Sequence, residues 1–174
     1  MVEEREYGTK LKPVLKVSSS KVTLRVKQST TGLKVTKMAD GDSVVSWKSS
    51  NPKIVKVNKR GKLAAQSQTG KATVTVKLKS GISKKIAVTV QKNPVKTTKI
   101  SGLKKTLSLQ VGKRYTLKPI LTPFTSSEKI TYSSSNRRIV SISSKGIIKG
   151  LKRGTAKITV QSGKKKFVIT VRVK

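Results

Sequence analysis

Catalysis needs a proton acceptor, a nucleophile or a metal, and this chain is short of all three. Its carboxylates are Glu3, Glu4, Glu6, Asp40, Asp42 and Glu128, and it contains neither histidine nor cysteine. A serine nucleophile requires a neighbouring base, so the two runs Ser49-Ser50-Asn51 and Ser134-Ser135-Asn136 cannot work as hydrolytic triads. A corner between strands suits them better, because Asn and Ser side chains bond their own backbone and Asn tolerates left-handed conformations. Asp40 and Asp42 flank Gly41 like half of a calcium loop. Calcium, however, takes about six to eight oxygen ligands, and the chain has few carboxylates to offer. A tight reversal at Ala39-Asp40-Gly41-Asp42 is therefore the favoured reading, with a bound cation as the alternative. No glycine-rich phosphate loop precedes a helix, and no acid–base pair stands out. Neither enzyme activity, nor a cofactor, nor a metal is expected.

The chemistry left to the chain is electrostatic. It carries 41 Lys and Arg against 6 Asp and Glu, a formal charge of +35. The residues to Lys92 hold 21 basic and 5 acidic side chains and the remainder 20 and 1, so the charge belongs to the whole chain and is not an appended tail. Candidate polyanion-binding residues cluster at turns: Lys59, Arg60 and Lys62; Arg137 and Arg138; Lys152 and Arg153; Lys164, Lys165 and Lys166. On strands, Lys71, Lys77 and Arg172 alternate with aliphatic residues and belong to a wet face. With few acids nearby, both halves present a positive field that attracts polyanions. Nucleic acid is one such partner, but lysines outnumber arginines 33 to 8. Lysine positions phosphate better than it reads bases, and no helix is in sight for a major groove. Nucleic acid is thus expected to bind only nonspecifically and with steep salt dependence.

These cations need a scaffold, and the chain states its plan twice. Trp47, Ser49-Ser50-Asn51, Ile54-Val55, Val57, Gly61 and Leu63 recur as Tyr132, Ser134-Ser135-Asn136, Ile139-Val140, Ile142, Gly146 and Ile148, at a constant offset of 85. Gly70, Ala72, Val74 and Val76 recur as Gly154, Ala156, Ile158 and Val160, one residue closer. Shared order and spacing mark a tandem repeat of one unit. Units of roughly 80 residues sit near the small end of what buries its own core. Without cysteine, stability has to come from sheet packing.

Taken in order, residues 1–12 mix charges without a period and read as a lead-in. Residues 13–92 form the first unit, with strands at Val14–Val17, Lys21–Val26, Leu33–Thr36, around Trp47, Ile54–Val57 and Leu63. A hairpin follows, in which Ala72, Val74, Val76 and Leu78 face the same core as Ile86, Val88 and Val90. Asn93 to Thr98 reads as a linker, where Pro94 removes a backbone donor. Residues 99–174 repeat the unit. Trp47 and Tyr132 occupy equivalent strand positions and read as core aromatics. About seven short strands per unit with no 3.6-residue period point to an all-β chain: two tandem immunoglobulin-like β-sandwiches.

The second half resembles the bacterial immunoglobulin-like domains of group 2. The likeness rests on Leu109-x-Val111-Gly112, Leu117 with Pro123, Tyr132-x-Ser134-Ser135-Asn136, Ile139-Val140-x-Ile142, Gly146, and Gly154-x-Ala156-x-Ile158-x-Val160. The first half matches from Trp47 onward but has Val26-Lys27 where the glycine belongs, and Ala39–Asp42 in place of the proline segment. Such modules occur in tandem in bacterial surface and secreted proteins and in some phage structural proteins. The resemblance implies a spacer or adhesion unit, outside the cell or on its surface, and no particular partner; the positive charge is what points to anionic polysaccharides, wall polymers or host surfaces as partners. No apolar run approaches the ~18 residues of a membrane span, and Met1–Glu6 is too charged for a signal peptide. The last strand pattern runs to Lys174, so the chain is expected to be a monomeric fragment of a longer protein.

Overall fold

Alternation of aliphatic and polar residues builds strands with one dry and one wet face. The computed structural model describes residues 14–174, and the lead-in read over 1–12 lies outside them. Two compact units result, one ending at Lys92 and one running from Asn93 to Lys174. The first contains β1 (Leu15–Val17), β2 (Lys21–Arg25), β3 (Ser29–Thr30), β4 (Val35–Met38), β5 (Val44–Ser49), β6 (Val55–Val57), β7 (Leu63–Ala65), β8 (Gly70–Leu78) and β9 (Ser83–Gln91). The second contains β10 (Lys99–Ser101), β11 (Thr106–Leu109), β12 (Arg114–Thr116), β13 (Ile120–Thr122), β14 (Ile130–Ser134), β15 (Val140–Ile142), β16 (Ile147–Gly150), β17 (Gly154–Ser162) and β18 (Lys165–Val173). No helix occurs among the described residues.

Both units follow one topology. The first has a four-stranded sheet β2-β9-β8-β5, a three-stranded sheet β3-β7-β6 and the pair β1-β4. The second has β11-β18-β17-β14, β12-β16-β15 and β10-β13, the same order strand for strand. Each unit thus has nine strands, more than the seven expected, because two-residue and three-residue strands such as β3 are too short to show a period. The opening strand of each large sheet pairs parallel to the closing one, β2 with β9 and β11 with β18, while the other pairs are antiparallel. In the second unit Val140 and Ile148 from the small sheet share one core with Ile158, Val160, Ile169 and Val171 from the large one. Each such buried aliphatic contributes about 1.5–3 kcal/mol relative to exposure.

The repeated aromatic and glycine form one contact. Gly61 turns at φ +77°, and a β-carbon there would sit 2.9 Å from the Trp47 ring; Gly146 turns at φ +74°, and its β-carbon would sit 2.8 Å from the Tyr132 ring. The left-handed turn excludes most side chains, and the ring occupies the space left. Trp47 and Tyr132 are consequently half-buried lids resting on a turn, and not the fully enclosed core residues that their strand positions suggest. Partial burial raises the Tyr132 phenol above its ordinary pKa by desolvation. A second contact repeats as well: Gly70 and Gly154 leave room for the Cδ1 atoms of Ile54 and Ile139, 2.7 and 2.9 Å from where a β-carbon would lie.

The Ser-Ser-Asn corners close the same way in both units. Asn51 and Asn136 accept on Oδ1 from the backbone of Lys53 and Arg138, and their carbonyls accept from Val55 and Val140. Ser50 and Ser135 accept on Oγ from the Thr73 and Lys157 N–H groups at 2.9 and 2.8 Å, which ties each corner to its neighbouring long strand.

Three local readings change. The strand expected at Leu33–Thr36 begins at Val35, while Leu33 lies before it as a buried anchor with 1% exposure. Lys27, where a glycine belongs, adopts φ 63° beside the φ 82° of Gly112, so the first unit keeps the turn with a residue that strains to make it. Asn93–Thr98 is not a free linker. Val95 and Thr97 are buried, and the Val95 carbonyl accepts from Ser127. The Thr97 N–H donates to Glu128 at 2.7 Å, and its hydroxyl bonds Ser126 and Ser162 at 2.8 and 2.7 Å. Glu128 in turn lies against Gly163 in the β17–β18 turn. Hydrogen bonding therefore builds this segment into the second unit, because its polar groups find partners there that no pattern in the sequence announces.

Three substitutions probe this packing. Gly61→Ala loses about 1–3 kcal/mol through backbone strain and collision with the ring, whereas Lys27→Gly gains about 0.5–1 kcal/mol by relieving a left-handed lysine. Urea denaturation followed by the fluorescence of Trp47, the single tryptophan, measures both. Thr97→Val removes the hydroxyl that bonds both Ser126 and Ser162 and costs about 1–3 kcal/mol, read by circular dichroism during denaturation. A loss near zero would mean that the segment is a tether after all.

Candidate polyanion-binding surface

Cations reach solvent in two settings, turns and the outer faces of the large sheets. At the β6–β7 turn, Asn58 Oδ1 accepts from the backbone N–H groups of Arg60 and Lys62, both at 2.9 Å. The asparagine holds the loop, leaving Lys59, Arg60 and Lys62 exposed. In the second unit Arg137 and Arg138 sit on the β14–β15 corner, and Lys152 and Arg153 on the β16–β17 connection. The Leu151 and Lys152 N–H groups both donate to the Ile139 carbonyl, at 2.8 and 3.4 Å, so the fold brings these two pairs into one exposed four-cation group.

Lys164, Lys165 and Lys166 are exposed around the β17–β18 turn, at the opposite end of β17 from Lys152 and Arg153. At ~3.3 Å per residue the two groups lie roughly 25 Å apart. They are separate patches.

The sheet faces add cations that the sequence reading left unassembled. On the outer face of β2-β9-β8-β5, Lys48 pairs with Thr75, which pairs with Lys85, so two lysines flank one threonine across three strands. Lys21 stands opposite Ala87, and Ala87 opposite Thr73. Adjacent strands are ~4.8 Å apart, which spaces flanking cations at roughly 10 Å. The second unit has Lys157, Lys166 and Arg172 on the corresponding face, separated by Thr155, Thr159 and Thr170. Alternation within β8 places Lys71 and Lys77 outward, as the sequence indicated, and the same alternation within β9 could have placed Lys85 there. Their cross-strand neighbours depend on register and on the parallel pairing of β2, which leave no local mark.

Two described carboxylates are already occupied. Asp42 accepts on Oδ2 from the Ser80 hydroxyl at 2.6 Å and on Oδ1 from the Ser43 and Ser80 N–H groups at 2.9 and 3.1 Å. These bonds, above all that from the Ser80 hydroxyl, hold the carboxyl below its ordinary pKa and join the Ala39–Asp42 reversal to the β8–β9 hairpin. The carboxylate is engaged as a turn residue. Among the described residues no three His, Cys, Asp or Glu side chains gather as a metal site. Glu128, the single acid of the second unit, holds Thr97. Among those residues no helix is long and apolar enough to cross a membrane.

No curated protein matches the chain. Among solved structures, domains 4 and 5 of the S-layer protein SbsC are similar at 24% identity, covering 92% of this chain and 97% of that one with a TM-score of 0.44. A xylanase from termite gut that contains a bacterial Ig-like domain is 22% identical over 39% of this chain and 18% of its own, with a TM-score of 0.34. Human protocadherin-24 EC1-2 is 14% identical over 93% and 97%, with a TM-score of 0.36. At these values they are likenesses only. The model of the bacterial Ig-like domain (group 2) matches residues 94–173, a span that begins inside the segment read as a linker and takes in every strand of the second unit. Through those residues, the second unit matches the group 2 bacterial Ig-like domain family.

Proposed function

We propose that this chain is a pair of non-catalytic Ig-like modules from a bacterial surface or secreted protein, acting as a spacer whose basic surface adheres to polyanionic polymers of the envelope or host. The observation that carries the reading is the placement of charge. Exposed cations occupy turns and outer sheet faces, whereas Asp42 and Glu128 are tied up by hydroxyl and backbone donors. A polymer with anionic groups at regular intervals meets many cations and few repelling carboxylates, and releases counterions as it binds. Lysine suits this role, being a flexible point charge without directional preference. The match of the second unit to a family whose modules occur in surface and secreted proteins supports the location, and the lack of histidine and of a paired acid and base supports the absence of catalysis.

Retention on heparin and on purified wall teichoic acid, measured as a function of salt, tests this. Binding is expected to fall steeply with salt, in a linear log–log relation. Replacing Arg137, Arg138, Lys152 and Arg153 together by glutamine should lower the slope by about three. A variant of equal net charge with its lysines redistributed should bind more weakly. Equal retention of the redistributed variant would reduce the charge to bulk basicity and end the adhesive reading. A sequence-selective complex with duplex DNA at physiological salt would overturn it in favour of a nucleic-acid protein.

A further inference from the structure

The two units share a topology but not a seam. In the first, the edge between the sheets is laced shut. The Ser18 N–H donates to the Lys34 carbonyl at 2.8 Å, the Lys34 N–H donates to Ser18 Oγ at 3.0 Å, and the Ser18 hydroxyl donates to the Gly32 carbonyl at 3.0 Å. Behind this lacing Val22 and Leu33 are 2% and 1% exposed. At the offset of 85, Leu103 stands in the place of Ser18 and Leu107 in that of Val22, while the buried Leu33 and Leu117 set Lys34 against Lys118. Leucine has no hydroxyl, so neither side-chain bond of this lacing can form.

The seam of the second unit opens instead into a cleft of about 380 Å³. Leu103 and Leu107 supply the aliphatic surface, Leu117 and Ile169 line it at only 5% and 1% exposure, and Tyr115 and Thr116 stand alongside. Leu107 is only half-buried, unlike its counterpart Val22. Lys104 and Lys118 also line the cleft and are exposed, which puts both ammonium-bearing chains at its rim. The volume falls in the range of small-molecule sites, and apolar walls with a few charged groups are their usual composition. The unit's one carboxylate, Glu128, is held by Thr97 against the β17–β18 turn and does not line the cleft.

We infer that this cleft binds a small amphiphilic anion, an aliphatic carboxylate whose chain lies on the leucines and whose head group pairs with Lys104 and Lys118. The aliphatic walls select the body, since a hydrated sugar gains little against leucine. The paired lysines select the sign of the head group. This site is independent of the polyanion-binding surface, which uses hydrated turns and sheet faces and needs no cavity.

Octanoate is the probe. Titrated into the full chain and followed by amide chemical shifts, it is expected to saturate with changes confined to Gly102–Leu107 and Tyr115–Lys118. Octylamine, with the same body and the opposite charge, should bind at least tenfold more weakly. Lys104→Gln with Lys118→Gln should weaken octanoate at least fivefold while leaving the affinity for heparin nearly unchanged. Leu103→Ser, which supplies the missing hydroxyl, should shut the cleft and abolish saturation. If that variant fails to fold, the lysine variants still decide. Octanoate shifts scattered over the lysine-rich turns of both units, like those produced by inorganic phosphate, would overturn the proposal, and so would equal binding of octylamine.

Discussion

The structure depends on an aromatic ring lying on a turn that has no side chain. In both units the first strand of the repeated block delivers the ring, and the turn two strands later delivers the glycine beneath it, at φ +77° in one and +74° in the other. The contact couples two choices that are otherwise unrelated: the ring cannot lie down unless the turn is left-handed and bare, and the turn leaves a gap unless a ring fills it. The isoleucines packed on Gly70 and Gly154 repeat the device where the long hairpin strand begins. In a chain without disulfides, such interlocks join the small sheet to the large one at the edges of a core made only of Val, Leu, Ile and Ala.

Electrostatics is subordinate to this packing. Because the strands alternate, an excess of lysine is tolerated on the wet faces without any ammonium entering the core. Two of the acids are used locally, Asp42 to join two turns and Glu128 to dock the start of the second unit. What remains is a predominantly positive surface, with Asp40 exposed among it, distributed among groups whose separation is fixed by strand length and register.

The two units also show how one topology accommodates different surfaces. A lysine replaces the turn glycine at position 27, and a leucine replaces the serine that closes the seam. Neither change disturbs the order of strands, because that order is set by the buried face, and these substitutions lie at the margins. The margins are where the units differ in what they expose.

The strand alternation, the turns at Ala39–Asp42, Lys59–Gly61 and Ser80-Gly81, the corner role of Ser-Ser-Asn and the outward cations all follow from local rules and were legible in the residues themselves. Periodicity determines which face of a strand is dry, and turn chemistry determines where it reverses. Tertiary structure decided the rest. The parallel pairing of β2 with β9 and β11 with β18, the shortest strands, the docking of Val95 and Thr97 into the second unit, and the meeting of Arg137–Arg138 with Lys152–Arg153 all join residues distant in the chain. So does the open seam, which appears only when two strands that never touch in sequence are laid side by side. The physical reason is the same in each case: a local pattern specifies how a segment presents its side chains, but which segment lies across from it is settled by the packing of the whole core.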